Sequence, residues 1–222
     1  DKLIANLPVE IHNRFLEYDI ARRTIDPSSP DTWYDVFQHV LKKSIDGEKT
    51  WGEISNQDWM TGIDALVAVD PSNPQNIYLG AMGKLFGKNS DRGLYKSTDG
   101  GLSWENKLFI SDSTGCIDIA IHPLNPDTVY AAMWERIRRP DRRSYGGPTC
   151  GIYRSTDGGE TWTELTNGIP NNLPTVGRIG ISTTPATPNF VYAIYADNIG
   201  YFSGVYKSTD NGDTWTRTND AV

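Results

Sequence analysis

Lys96–Trp104 reads KSTDGGLSW, and nearly the same nine residues return as RSTDGGETW at Arg154–Trp162 and KSTDNGDTW at Lys207–Trp215. A worn copy, KSIDGEKTW, occupies Lys43–Trp51. The aspartates of the four boxes, Asp46, Asp99, Asp157 and Asp210, are spaced 53, 58 and 53 residues apart. A second phrase alternates with the first: DPSSPDTWY from Asp26, DPSNPQNIY from Asp70, HPLNPDTVY from His122 and TPATPNFVY from Thr184. Two phrases alternating four times describe four copies of one supersecondary unit, with a period in the range of propellers and solenoids. The units are read at about 10–55, 60–108, 113–166 and 175–218, within one region covering 1–222.

Within a unit the pattern is that of strands. CIDIAIHP sets Ile117, Ile119 and Ile121 against Cys116, Asp118 and Ala120, and DALVAVDP runs in the same register. Then come the Pro-x-x-Pro turn, a short apolar run such as TVYAAMW, a variable loop, a third run such as GIYRSTD, the box, and a closing strand. Four short strands joined as a meander and repeated around an axis make a β-propeller, so the fold class is all-β with four-stranded antiparallel blades.

The box has a mechanical reading as the turn between the third and fourth strands. Its Asp accepts from backbone N–H groups ahead of it. Its Gly supplies turn angles, and its Trp fills space between neighbouring blades. The structural set is Ser44, Asp46 and Trp51; Ser97, Asp99, Gly101 and Trp104; Ser155, Asp157, Gly159 and Trp162; and Ser208, Asp210, Gly212 and Trp215. The first copy carries Glu48 where the others have Gly, so its turn is expected to relax to another type. The segment WYDVFQHVLKKS before it lacks the Gly-aromatic opening of a third strand, which makes the first blade degenerate or partial.

Ser-x-Asp-x-Gly-x-Thr-Trp is the Asp-box, or BNR repeat. With the alternating Pro phrase, the chain resembles the Asp-box β-propellers of sortilin-type receptors, xyloglucan-cleaving glycoside hydrolases and a photosystem II assembly factor over about residues 20–218. The resemblance implies a propeller, and it leaves open an enzyme, a receptor or an assembly factor. Such relatives carry six to ten blades, so four units imply a portion of a larger propeller. The resemblance also implies a secreted or cell-surface location.

The totals narrow the partners. Lys and Arg number 21 against 28 Asp and Glu, a net charge of −7, which argues against nucleic acid or an anionic membrane surface. No apolar run is long enough to insert in a membrane. His12, His39 and His122 form no catalytic or metal-ligand pattern, and neither a metal nor a cofactor is expected. Cys116 and Cys150 fall on strands too far apart for a ready disulfide.

In a meander the Pro phrases and the boxes share one face, and the connections between strands two and three lie on the other. Those second connections vary in length, as binding loops on a fixed scaffold do. The third, Glu135–Thr149, concentrates Arg136, Arg138, Arg139, Arg142 and Arg143. Guanidinium groups grip carboxylates, phosphates and sulfates and stack on sugar or aromatic faces. Trp134 and Tyr145, like Phe86 and the aromatics of Gly200–Phe202, are candidate shelves. These residues point to a protein segment or a glycan as the partner, held on the face opposite the boxes. A surface spacer is a further reading.

The alternative is a polysaccharide hydrolase, whose chemistry needs two carboxyl groups about 5–5.5 Å or 6.5–9.5 Å apart. Asp118, Asp64 and Glu135 are the loop-face candidates, and Asp118 is equally suited to pairing with an arginine. The motifs that carry the catalytic aspartates in the xyloglucan-cleaving relatives, RTD-x-GG and GD-x-GF, are absent.

Overall fold

The computed structural model describes residues 23–37, 40–56, 66–141 and 145–218. They form four four-stranded antiparallel sheets, each ordered as it runs in sequence. The first holds β1 (Thr24–Asp26), β2 (Ser29–Phe37), β3 (Val40–Ser44) and β4 (Gly52–Asn56); the second β5 (Leu66–Val69), β6 (Ile77–Ala81), β7 (Gly93–Ser97) and β8 (Glu105–Leu108). The third holds β9 (Thr114–Ile121), β10 (Val129–Glu135), β11 (Gly151–Ser155) and β12 (Thr163–Leu165); the fourth β13 (Val176–Thr183), β14 (Val191–Asp197), β15 (Phe202–Ser208) and β16 (Thr216–Arg217). Each sheet is a propeller blade, and all sixteen strands are joined as meanders.

The Pro phrases form every first hairpin through a local acceptor at their first position. Asp70 Oδ1 accepts from the Ser72 amide at 2.8 Å, and Asp26 Oδ1 accepts likewise from Ser28. His122 substitutes an imidazole for that carboxylate, its Nδ1 accepting from the amides of Leu124 and Asn125. It is a buried turn residue.

Each box repeats one hydrogen-bond network. Ser97 donates to Asp99 Oδ1 at 2.7 Å and accepts the Gly101 amide at 2.8 Å. Asp99 also accepts the amide and hydroxyl of Ser103, at 2.9 and 2.6 Å. Ser155–Asp157–Thr161 and Ser208–Asp210–Thr214 reproduce these bonds. The box tryptophans donate back to the carbonyls of Gly101, Gly159 and Gly212.

The first blade differs from the expectation on both counts. It has all four strands, with a bulge between Ile25 and Asp26. Its box keeps the common turn: Gly47 and Glu48 have φ of +67° and +69°, as Gly100 and Gly101 have +76° and +101°. Ser44 accepts the Glu48 amide at 3.0 Å and Asp46 accepts the Thr50 amide at 2.9 Å, so the network holds Glu48 in a left-handed conformation that its Cβ disfavours.

Three apolar clusters fill the gaps between successive blades. Tyr34 and Leu41 meet Val67, Leu79 and Trp104; Tyr78 and Leu94 meet Ile119, Met133 and Trp162; Tyr130 and Ile152 meet Ile179, Tyr195 and Trp215. Trp104, Trp162 and Trp215 therefore each pack toward the preceding blade. Burying rings of 150–250 Å² at every interface supplies much of the drive to stack.

Candidate functional site

On the face opposite the boxes, the loop between β10 and β11 reaches both neighbouring blades. The Arg138 amide donates to the Leu85 carbonyl at 2.9 Å, in the loop between β6 and β7. The Tyr145 amide donates to the Asn198 carbonyl at 2.6 Å, in the loop between β14 and β15. The Arg136 amide closes on the Ser113 carbonyl at 2.9 Å. The loop is thereby a bridge fixed at three points.

A groove of about 310 Å³ opens beside it, lined by Lys88, Ser113, Glu135, Ile137, Arg139, Tyr145 and Gly146. Glu135 accepts the Thr149 hydroxyl at 2.8 Å, and a Cβ on Gly147 would collide with the same carboxylate. That close approach explains a Gly after Gly146 in the loop. Lys88 pairs with Asp112 at 3.2 Å on the exposed rim. Arg138 and Arg139 are exposed, and the Arg138 guanidinium lies 5.9 Å from the Phe86 ring centre.

The sequence candidates separate into three groups. Glu135, Arg139 and Tyr145 line the groove together. Trp134 and Arg136 stand behind it: Trp134 is buried, with Arg136 over its ring at 4.7 Å and Arg178 at 5.9 Å. Its indole N–H donates to the Tyr145 carbonyl at 3.0 Å. Trp134 is therefore an anchor for the loop, while the exposed aromatics on this face among the described residues include Phe86, Phe109, Tyr201 and Phe202. Asp64, Arg142 and Arg143 lie outside the described residues.

Asp118 is elsewhere. Its Oδ1 accepts the Ile119 amide at 3.0 Å and its Oδ2 accepts the Ile181 amide of the next blade at 2.9 Å. Burial raises its pKa, against these two bonds and the Arg178 charge. Its anticipated arginine partner is thus chiefly a backbone amide across the blade gap. Glu135 pairs with Thr114, and Asp118 lies four positions along the same β9 strand, about 13 Å at 3.3 Å per residue. The structure does not bring these two carboxylates together as a hydrolytic pair. Asp197 accepts three amides of its own turn, from Ile199, Gly200 and Tyr201, and these bonds lower its pKa.

Sequence reasoning missed Lys88 and Ser113, which reach the groove from other loops, and Arg92, which braces one of those loops. Arg92 is fully buried and donates to the carbonyls of Met82, Lys84 and Gly87. A lone Arg just before the Gly that opens β7 gave no local signal of that role. Both cysteines are free and buried, and burial raises both thiols, Cys150 to about 11. Among the described residues no cluster of His, Cys, Asp and Glu could hold a metal ion. No helix among them is long and apolar enough to cross a membrane.

The signature of the BNR/Asp-box repeat family matches residues 153–164. A probable oligoxyloglucan-reducing end-specific xyloglucanase of Neosartorya fischeri is 27% identical over 220 residues, covering 96% of this chain and 23% of that protein. The solved GH74 enzyme of Niastella koreensis superposes with a TM-score of 0.64 at 26% identity, over 88% of this chain and 29% of the other. An ancestral GH74 enzyme shares the fold, with a TM-score of 0.68 at 24% identity over 90% of this chain and 24% of its own. The chain spans about a quarter of the length of the curated relatives it matches. It is an Asp-box β-propeller chain, similar along most of its length to xyloglucanases.

Proposed function

We propose that the chain is part of a xyloglucanase-like, polysaccharide-active propeller, and that its own loop face holds a β-glucan chain of the xyloglucan class. The observation that carries this reading is the groove of Lys88, Glu135, Arg139 and Tyr145, with exposed Phe86, Tyr201 and Phe202 on the two neighbouring connections to which its loop is bonded. Sugars are recognised by aromatic faces that stack on pyranose rings and by charged side chains that bond paired hydroxyls, and both kinds of group are present here. The xyloglucanase relatives favour this ligand over a protein segment. A polysaccharide of this kind places the protein outside the cell.

The contribution assigned to these residues is binding and orientation, since Glu135 and Asp118 are too far apart to act as one acid–base pair. Calorimetry of the purified chain against xyloglucan oligosaccharides, with reducing-sugar release measured in parallel, tests the reading. The expected result is binding without turnover, weakened about 10-fold or more by Arg139→Ala and by Glu135→Gln. Absence of binding to xyloglucan and to unbranched β-glucan would overturn it. Turnover abolished by Glu135→Gln would instead make Glu135 catalytic.

A further inference from the structure

One backbone hydrogen bond gathers cations on the loop face. The Arg138 amide donates to the Leu85 carbonyl at 2.9 Å, which sets Phe86 and Lys88 of one loop beside Arg138 and Arg139 of the other. All four of these residues are exposed. The Arg138 guanidinium lies over the Phe86 ring at 5.9 Å, while Lys88 and Arg139 line the groove next to it.

The partners of these bases are few. Elsewhere in the chain Arg23 pairs with Asp35 and Glu48, and Arg154 pairs with Asp213. Arg138 and Arg139 pair with no carboxylate among the described residues. Lys88 meets Asp112 at 3.2 Å, but both side chains are largely exposed. Such a surface pair is weak, and it leaves the ammonium with protons to give. Glu135, the carboxylate of the groove, is engaged by the Thr149 hydroxyl.

The whole chain carries −7 and repels anions at a distance. Two unpaired guanidiniums beside an ammonium are a local reversal of that sign. A guanidinium resting on a ring is partly ordered before it binds, and its fork matches the paired oxygens of an oxyanion. Phe86, 62% exposed, adds apolar surface for a sugar ring.

We infer that the loop face selects an acidic glycan: a chain seated in the groove brings an anionic substituent, a uronate carboxylate or a sulfate ester, onto Arg138 and Arg139. The inference rests on the reading that this face holds a polysaccharide, and it adds the charge of the unit lying beside the groove.

The test compares three forms of one xyloglucan oligosaccharide by calorimetry on the full chain. One is unmodified, one has its galactose C6 hydroxyls oxidised to uronates, and one has the same hydroxyls sulfated. Long-range repulsion from an acidic chain, acting alone, would make both charged forms bind more weakly than the neutral one. The expected result is instead about 10-fold tighter binding of a charged form at low salt, shrinking toward parity at about 1 M NaCl. Whichever charged form binds more tightly names the substituent. Arg138→Gln is expected to bring the ratio of charged to neutral affinity close to parity, and Arg138→Lys to restore it only in part. Equal binding of all three forms, or preference for the neutral one, would overturn the inference while the proposed function stood. A preference that survives both Arg138→Gln and Arg139→Gln would also overturn it, because the attraction would then not come from this pair. Absence of binding by any form would remove the proposed function and the inference together.

Discussion

Tyr130 Oη donates to the backbone carbonyl of Asn211 at 3.0 Å, across 81 residues and one blade gap. Tyr78 does the same to Gly158 at 2.9 Å. At these two blade gaps the repeated phrases are halves of one clasp, the Pro phrase supplying the tyrosine and the next box the carbonyl; at the first gap the buried Tyr34 hydroxyl makes no such bond. Burial pushes the Tyr130 phenol up to about 12, so it is a neutral donor over the working pH range. Tyr130→Phe leaves a buried carbonyl with one partner fewer and is expected to cost about 1–2 kcal/mol in urea denaturation. Tyr192→Phe, at a half-exposed hydroxyl, is expected to change stability by less than about 0.5 kcal/mol. Equal costs would remove the clasp as the meaning of the repeat.

The box carboxylates make stability depend on acid. Hydrogen bonds from the Thr or Ser side chain and backbone just before the Trp, and from the box Ser, hold Asp46, Asp99 and Asp210 at about 2, below the ordinary 3.8, and Asp157 lower still. The folded chain therefore binds fewer protons than the unfolded one in this window. The contribution of these groups is complete above about pH 5 and disappears as pH falls from about 4 toward 2. Asp118 and Glu164, raised by burial, act in the opposite sense. Melting temperature followed from pH 5 to 2 is expected to fall, and the gap between the native chain and Asp99→Asn to narrow over the same interval. A constant gap would show that the carboxylate charge at Asp99 is not what the turn uses.

Fold was legible in the sequence because turn chemistry is local. Ser97, Asp99, Gly101 and Ser103 sit within seven residues and satisfy one another, so spacing alone describes the network. Glu48 misleads for a physical reason. Its residue type suggests another turn, whereas the bonds from Ser44 and Asp46 impose the common one. The site was legible only in part, since its geometry is assembled from afar. Trp134 reads as a shelf until Arg178 arrives from β13 to cover it, and Lys88 and Ser113 join Glu135 from other connections.

Arg92 is expected to be the most sensitive residue behind the groove. Its guanidinium spans three carbonyls of the loop between β6 and β7, the loop that in turn accepts the Arg138 amide through Leu85. Arg92→Met strips those carbonyls of a buried charged donor and is expected to cost about 3 kcal/mol or more. Arg92→Lys is expected to recover little, because one ammonium cannot span a fork's geometry. Limited proteolysis should cut first near Leu85–Asn89 in both variants, before global unfolding. Cleavage elsewhere first would mean that the brace does not hold this loop.

The fifth box position separates two demands that coincide in three of the four blades. At Gly101 the backbone is left-handed, and a Cβ would also stand 2.9 Å from Ile54 Cδ1 and 3.1 Å from Leu41 Cδ2. Gly101→Ala therefore meets strain and overpacking together, and about 2–4 kcal/mol of destabilisation is expected. Glu48 meets only the first demand, and its carboxylate is held by Arg23 instead of pressing on a blade. Glu48→Gly relieves strain of about 1 kcal/mol, loses a partly exposed ion pair and gains unfolded-state entropy. The net change is expected to stay within about 1 kcal/mol. Chemical denaturation of both variants decides the matter: if Gly101→Ala costs no more than Glu48→Gly, backbone angle alone explains the glycine and close blade packing does not.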